Sequence, residues 1–140
     1  MGATRVRHVL KVLGSGLTAG VVMLSTSLTA GPLEDEIEKL LSTVVADQAA
    51  LFGDTKLDAK VVIPEFYAQR NYTPSWYGTQ NEEDLFAELN RGVAQGFRPA
   101  DFNLPLLYEV RDAAQSGRAE DIAKFDLLAT DAAIKLIHHV

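Results

Sequence analysis

Three groups of side chains in this sequence are of types that could carry chemistry. Glu82, Glu83 and Asp84 are adjacent carboxylates, the residue type that enzymes pair for acid–base catalysis. His138 and His139 offer neighbouring imidazoles, which are the commonest metal ligands in proteins. A dense set of aromatic rings, which could stack on the faces of sugars, consists of Phe66, Tyr67, Tyr72, Trp76 and Tyr77.

The spacing of the polar groups argues against a catalytic or metal site. Three adjacent carboxylates at a helix start point in different directions, so their predicted role is to offset the helix dipole. Neighbouring histidines lie about 100° apart on a helix, unlike the pair four residues apart that shares a metal. The sequence contains no GxSxG, no phosphate-binding glycine loop, no HExxH and no calcium loop. We therefore predict no cofactor, no metal and no catalysis by this chain.

The aromatic residues have two interpretations. Large rings at this density usually fill the core of a small domain, where each buries about 150–250 Å². Carbohydrate contact is the alternative, and the sequence favours the core. Trp76, between Pro74 and Gly78 in an aromatic-rich connection, is the predicted core anchor.

Composition narrows the class of protein. The 140 residues are enough for one domain, with 47% hydrophobic and 23% charged residues, as in an ordinary globular protein. The net charge of -6 gives no indication of a nucleic-acid partner. The chain has no cysteine, which excludes disulfides, cysteine nucleophiles and a lipid anchor on an N-terminal cysteine.

Residues 1–30 have the three parts of a secretory signal peptide. Arg5, Arg7 and Lys11 form a basic start, an uncharged apolar middle follows, and small residues precede Gly31. A retained membrane helix is the alternative, but it needs about 20 mainly apolar residues, and the middle contains several glycines and hydroxyl residues. We predict cleavage after Ala30, no lasting membrane anchor, and location in the periplasm.

Residues 31–140 show helical periodicity, which predicts an all-α, small irregular helical domain of about five helices. Asn71 suits the left-handed position that ends the second helix, and Gly92 suggests a close helix crossing. The predicted bounds are Pro32 to Gly53, Pro64 to Arg70, Asn81 to Gly96, Asn103 to Gly117, and about Ala119 to Val140.

The last helix carries an apolar stripe that runs to the final residue. No glycine, asparagine or proline follows it as a stop signal. We therefore expect this helix to continue into another module in a parent architecture, or to self-associate through its C-terminal part. The stripe consists of Ile122, Phe125, Ala129, Ala132, Leu136, Ile137 and Val140.

Three segments resemble the large murein L,D-transpeptidase family. The first segment, at 66–76, has a Phe-Tyr pair followed at alternate positions by Arg, Tyr, Pro and Trp. The second segment, at 96–102, is a glycine turn followed by the pattern Pro-x-Asp-aromatic. The third segment, at 126–132, lies on the last predicted helix. The matching residues are Phe66, Tyr67, Arg70, Tyr72, Pro74, Trp76, Gly96, Pro99, Asp101, Asp126, Thr130 and Asp131.

The resemblance implies that residues 31–140 are a helical scaffold domain. In that family the scaffold precedes a peptidoglycan-binding module and a catalytic domain with a cysteine nucleophile and a histidine partner. The resemblance therefore implies that this cysteine-free chain is an apparently truncated, non-catalytic piece. Its implied partners are peptidoglycan or a separate transpeptidase or peptidoglycan-binding module. A free-standing periplasmic helical adaptor for a protein partner is the alternative.

Overall fold

A computed structural model of the protein describes residues 31–47 and 52–139. In these ranges the chain forms five α-helices and one short 3-10 helix. The predicted signal peptide, Leu51 and Val140 lie outside these residues. Within the described ranges there is no strand, only an isolated bridge between Phe52 and Thr55, which confirms the all-α prediction. The helices are α1 (Pro32–Asp47), α2 (Val62–Ala68), α3 (Gln80–Ala94), the 3-10 helix (Pro99–Phe102), α4 (Leu104–Ala114) and α5 (Ala119–His139).

Two predicted helix starts need correction. Helix α2 begins at Val62 rather than at Pro64, because the Val62 and Ile63 N–H groups already bond the Ala59 carbonyl. Proline is tolerated there since the first four N–H groups of a helix have no intrahelical partner.

Helix α3 begins before Asn81, which was the predicted cap. Thr79 is the extended N-cap residue, and the Gly78 N–H donates to the Glu82 carboxylate at 2.9 Å. The side-chain amide of Asn81 lies inside the first turn and approaches the Ser75 carbonyl instead. Asn103 is the N-cap residue of α4 as predicted, but in a left-handed conformation and without a side-chain cap.

Helix α5 is the centre of the domain, and α1 and α4 pack on it most extensively. The nine successive residues 125–133 are all buried. The sequence predicted one apolar stripe on this helix. In the structure other elements surround the middle of α5, so residues on all of its sides are buried there. In the stripe itself, Ile137 is only half-buried; the buried members are Ile122, Phe125, Ala129, Ala132 and Leu136.

Close packing also occurs at Gly92 in α3. A Cβ atom at this position would lie 3.4 Å from the Phe97 ring and 3.5 Å from the Phe102 ring. These are ordinary contact distances, and both rings belong to residues that follow α3, so the close helix crossing predicted at Gly92 is not present. In the part of the chain that the structure describes, no helix is long and apolar enough to cross a membrane.

Candidate functional site

The segment between α2 and α3 turns sharply so that its backbone faces α5. Asn71 adopts the predicted left-handed conformation with φ 54°, and Tyr72 follows with φ 58°. The Tyr72 N–H bonds back to the Tyr67 carbonyl at 2.8 Å. Left-handed geometry is uncommon for a bulky residue such as tyrosine. The turn brings the next residues, including Ser75 and Trp76, against the buried side of α5.

Asp126 of α5 accepts four hydrogen bonds, three from this segment and one from Tyr67 of α2. Its Oδ2 accepts from the Ser75 N–H at 2.8 Å and from the Tyr67 hydroxyl at 2.6 Å. Its Oδ1 accepts from the N–H groups of Trp76 at 2.9 Å and Tyr77 at 3.1 Å. Each carboxylate oxygen thus has two donors, which meets the hydrogen-bonding capacity of an ionised aspartate.

Thr130, one turn after Asp126, completes the cluster. The Trp76 indole Nε1–H donates to its Oγ1 at 2.9 Å. The Tyr67 oxygen at 2.7 Å and the Asp126 carbonyl at 3.1 Å are the acceptors in reach of the threonine proton. We call this cluster the Asp126 network; its members are Tyr67, Ser75, Trp76, Tyr77, Asp126 and Thr130.

Burial dominates the electrostatics of the network. Removal from water raises the pKa of Asp126 above its usual 3.8, although the hydrogen bonds from Tyr67 and the three backbone N–H groups oppose the shift. Burial, and then the neighbouring Asp126 charge, raise the pKa of Tyr67 well above 10.0. Tyr67 therefore remains a hydrogen-bond donor at any physiological pH.

The four central side chains of the network are closed to any ligand. Tyr67, Trp76, Asp126 and Thr130 all have 0% of their surface exposed. The burial of Trp76 as a core anchor is thus confirmed. Since the largest rings of the aromatic group cannot reach a sugar, what this arrangement can do is fix the α2–α3 segment to α5 rather than perform chemistry.

Asp131, the last residue matched in the third segment, fixes a second connection. Its Oδ1 accepts the Ala59 N–H at 2.8 Å. Its Oδ2 has no hydrogen-bond donor in good geometry, and lies 3.1 Å from Lys135 Nζ in an ion pair. Lys135 also lies 2.6 Å from Asp58. Burial lowers the pKa of Lys135, but the two carboxylates outweigh burial and leave that pKa raised.

The remaining residues of the first segment lie around the turn, between the core and the surface. The Arg70 guanidinium lies 4.9 Å from the Phe66 ring centroid, and its Nε donates to the Thr73 carbonyl at 3.2 Å. Phe66 packs edge-on against Tyr67 at 5.1 Å. Pro74 is half-buried directly before the network. Buried Phe66 thus joins the turn to the core, and half-buried Arg70 covers the ring.

The second segment forms a local turn. Gly96 has φ 111°, a backbone conformation that other residues rarely adopt. Pro99 begins the 3-10 helix, and Asp101 accepts from the Arg98 backbone N–H at 3.0 Å and side chain at 2.8 Å. These bonds from Arg98 lower the pKa of Asp101. The turn places Phe102 in the core with no exposed surface.

The adjacent acids of α3 have a partner that the sequence did not suggest. Glu82 and Glu83 lie in the first turn, as expected for compensation of the helix dipole, and both form ion pairs with Arg111 of α4. The Arg111 guanidinium also lies 4.4 Å from the Phe86 ring centroid. These acids therefore join α3 to α4.

Several residues of these sites have no recognisable signal in the sequence. The Ser75 and Tyr77 contributions are backbone N–H groups, which every residue except proline has, so no motif could reveal them. Lys135 and Asp58 are far apart in sequence and meet only in the fold. Among the described residues, no group of three or more histidine, cysteine, aspartate or glutamate side chains could hold a metal ion.

Comparison with known proteins gives one match. No curated protein and no solved structure matches the chain. The sequence profile of the Scaffold domain family matches residues 62–140, more than half of the chain, and this range includes all three segments described above. A scaffold domain is consistent with a non-catalytic role. The chain belongs to the Scaffold domain family.

Proposed function

We propose that this chain is the non-catalytic scaffold part of an exported L,D-transpeptidase-like protein associated with peptidoglycan cross-linking and cell-wall organisation. One observation supports the proposal most. Asp126 and Thr130 of the third segment bond directly to Tyr67 and Trp76 of the first, inside the region that matches the Scaffold domain family. Residues of two segments that resemble the transpeptidase family are therefore hydrogen-bonded to each other.

The chemistry of this contact suits a scaffold. The Asp126 carboxylate and the Thr130 hydroxyl are paired inside the core, and any other arrangement of the joined elements would leave these buried groups without partners. Helix α5 and the α2–α3 segment are thereby held in a fixed relation. A rigid domain of this kind positions other modules without touching a substrate's reacting atoms.

We propose that the working site is the periplasm and that residues 1–30 direct export. The partners are then peptidoglycan or a separate transpeptidase or peptidoglycan-binding module. N-terminal sequencing of protein from the periplasmic fraction should give Gly31 as the first residue. An intact Met1 in the cytoplasm would contradict the export proposal.

A transpeptidation assay tests the scaffold role. The exported chain is incubated with disaccharide-tetrapeptides, alone and together with separately produced peptidoglycan-binding and cysteine catalytic modules of a large L,D-transpeptidase. Enzymes of the large L,D-transpeptidase family join peptidoglycan stems through 3→3 links. Mass spectrometry should show no 3→3-linked dimers with the chain alone, and more of them with the modules plus the chain than with the modules alone. The Trp76→Ala variant, which loses the core anchor, should not give this increase.

Two results would contradict the proposal. New 3→3 dimers formed by the chain alone would show that it is itself an enzyme. An unchanged yield with the modules, together with binding of an unrelated periplasmic protein, would favour the free-standing adaptor.

A further inference from the structure

The last turn of α5 contacts the second segment through an imidazole. The centroid of the His139 ring lies 5.4 Å from that of Phe97 and 6.1 Å from that of Phe102. The two phenylalanine rings meet each other edge-on at 5.8 Å. Phe102 has no exposed surface and Phe97 is half-buried, so both rings are fixed in the domain, whereas His139 is exposed and can exchange protons with solvent.

Three features of this contact favour a charged imidazole. His139 is the last residue of α5, where a cation interacts favourably with the negative end of the helix dipole. An aromatic face attracts a cation within about 6 Å of its centroid, and the Phe97 ring lies within this distance. The third feature is the Asp101 carboxylate, because the charge of His139, after the stronger effect of the bonds from Arg98, also lowers the pKa of Asp101.

The other charged groups around His139 do not remove this preference. In the second segment Arg98 is paired with Asp101 at 2.8 Å. Across an open cavity that His139 also lines, Asp58 lies 2.6 Å from Lys135. A further carboxylate of α5, described above, pairs with this lysine too. Three carboxylates thus surround two cations, and an additional positive charge on the imidazole is electrostatically favoured.

We propose that protonation of His139 strengthens the contact between the last turn of α5 and the second segment. Histidine side chains ordinarily change their charge between pH 5 and 8. Since the docked turn favours the protonated form more than a frayed turn does, the contact is firmest below this range and weakens as the pH rises through it. The C-terminal end of α5 is then a pH-sensitive part of the domain.

Hydrogen exchange of the amides at 136–139, corrected for the intrinsic effect of pH, tests the proposal. Protection in the wild type should be about two- to fivefold greater at pH 5 than at pH 8, as expected for a cation at a helix C-terminus. His139→Phe keeps a ring against the second segment but cannot take up a proton, so most of this pH dependence should be lost. Asp101→Asn should reduce the dependence without abolishing it, because the helix dipole and the rings remain.

His138→Phe is the matched control, since it makes the same substitution at the adjacent position. Neighbouring helix positions point about 100° apart, and among the described residues the aromatic rings at this site contact His139. The His138 variant should therefore keep most of the pH dependence. Amides at 125–133 in the same samples report any change in global stability, and circular dichroism at both pH values shows whether each variant is folded.

The proposal is overturned by any of three results. Protection at 136–139 in the wild type could be equal at pH 5 and pH 8, His139→Phe could retain the full pH dependence, or His138→Phe could lose it as completely as His139→Phe does. None of these outcomes depends on the transpeptidase-related function proposed above.

Discussion

Asp126 accepts four hydrogen bonds although none of its surface meets water. The buried carboxylate is therefore stabilised by hydrogen-bond donors of the protein and not by water. Three of these are backbone N–H groups at successive residues, which no side-chain substitution in the segment can remove unless it introduces proline. The carboxylate is consequently the sensitive partner of the Asp126 network.

Asp126→Asn should reduce the free energy of unfolding by about 2–4 kcal/mol, because the new amide places an NH₂ group against donors that need an acceptor. Urea denaturation measures this change. Asp112→Asn, an exposed aspartate on α4, is the matched control and should change stability by less than about 0.5 kcal/mol. Equal stability of the two variants would show that the network contributes little.

The pH response of Asp126 follows from its raised pKa. The folded protein holds the Asp126 proton more tightly than the unfolded chain, so this group stabilises the fold below the usual value of 3.8. That contribution is lost as the pH rises through the folded pKa. A ¹³C NMR titration of the Asp126 carboxyl should give a midpoint above 3.8. A midpoint below 3.8 would mean that the four hydrogen bonds outweigh burial.

At the scale of the elements, helices could be predicted where the apolar periodicity of a segment stops at a residue that ends helices. The ends of α3 and α4 near Gly96 and Gly117 match because both glycines have positive φ. The start of α2 and the 3-10 helix were not predicted, since their hydrogen bonds involve few residues and leave no periodic pattern. The left-handed Tyr72 also gave no signal, because tyrosine does not normally favour that conformation.

Alanine substitutions at Gly92 and Gly96 measure two different contributions to stability. Gly92 tests packing against neighbouring rings, and Gly96 tests backbone strain. Gly92→Ala should raise the free energy of unfolding by about 0.5–1 kcal/mol, because alanine favours the helix and its Cβ would meet the Phe97 and Phe102 rings at ordinary contact distances. Gly96→Ala should lower it by about 1–3 kcal/mol because its φ of 111° is strained for alanine. Thermal melting compares the two. A destabilising Gly92→Ala would show that the rings cannot accommodate a methyl group.

At the scale of the whole molecule, the folded unit includes more than the family match. The Scaffold domain profile covers residues 62–140, yet α1 lies before it and packs on α5. Ile37 has no exposed surface, and the other buried residues of α1 are Leu40, Leu41 and Val44. Helix α1 is therefore part of the core and not an appendage.

Ile37→Ala should thus cost about 2–5 kcal/mol of unfolding free energy, the usual range for such a truncation in a core. Unfolding should remain a single transition when followed by both tryptophan fluorescence and circular dichroism. Ser42→Ala on the exposed side of α1 is the control and should leave stability nearly unchanged. Two separate transitions would show that α1 folds independently of residues 62–139.

The Asp126 network also bears on the order in which the chain folds. Its backbone bonds join residues 49, 50 and 51 positions apart, across α3, the 3-10 helix and α4. Closing a loop of this length costs chain entropy before any of the bonds forms, whereas each intervening helix needs only local contacts. The helices can therefore form early, and the segment after α2 docks on α5 late, as one of the last steps to the native state. Substitutions of Asp126 should then act mainly on the rate of unfolding and little on the rate of folding.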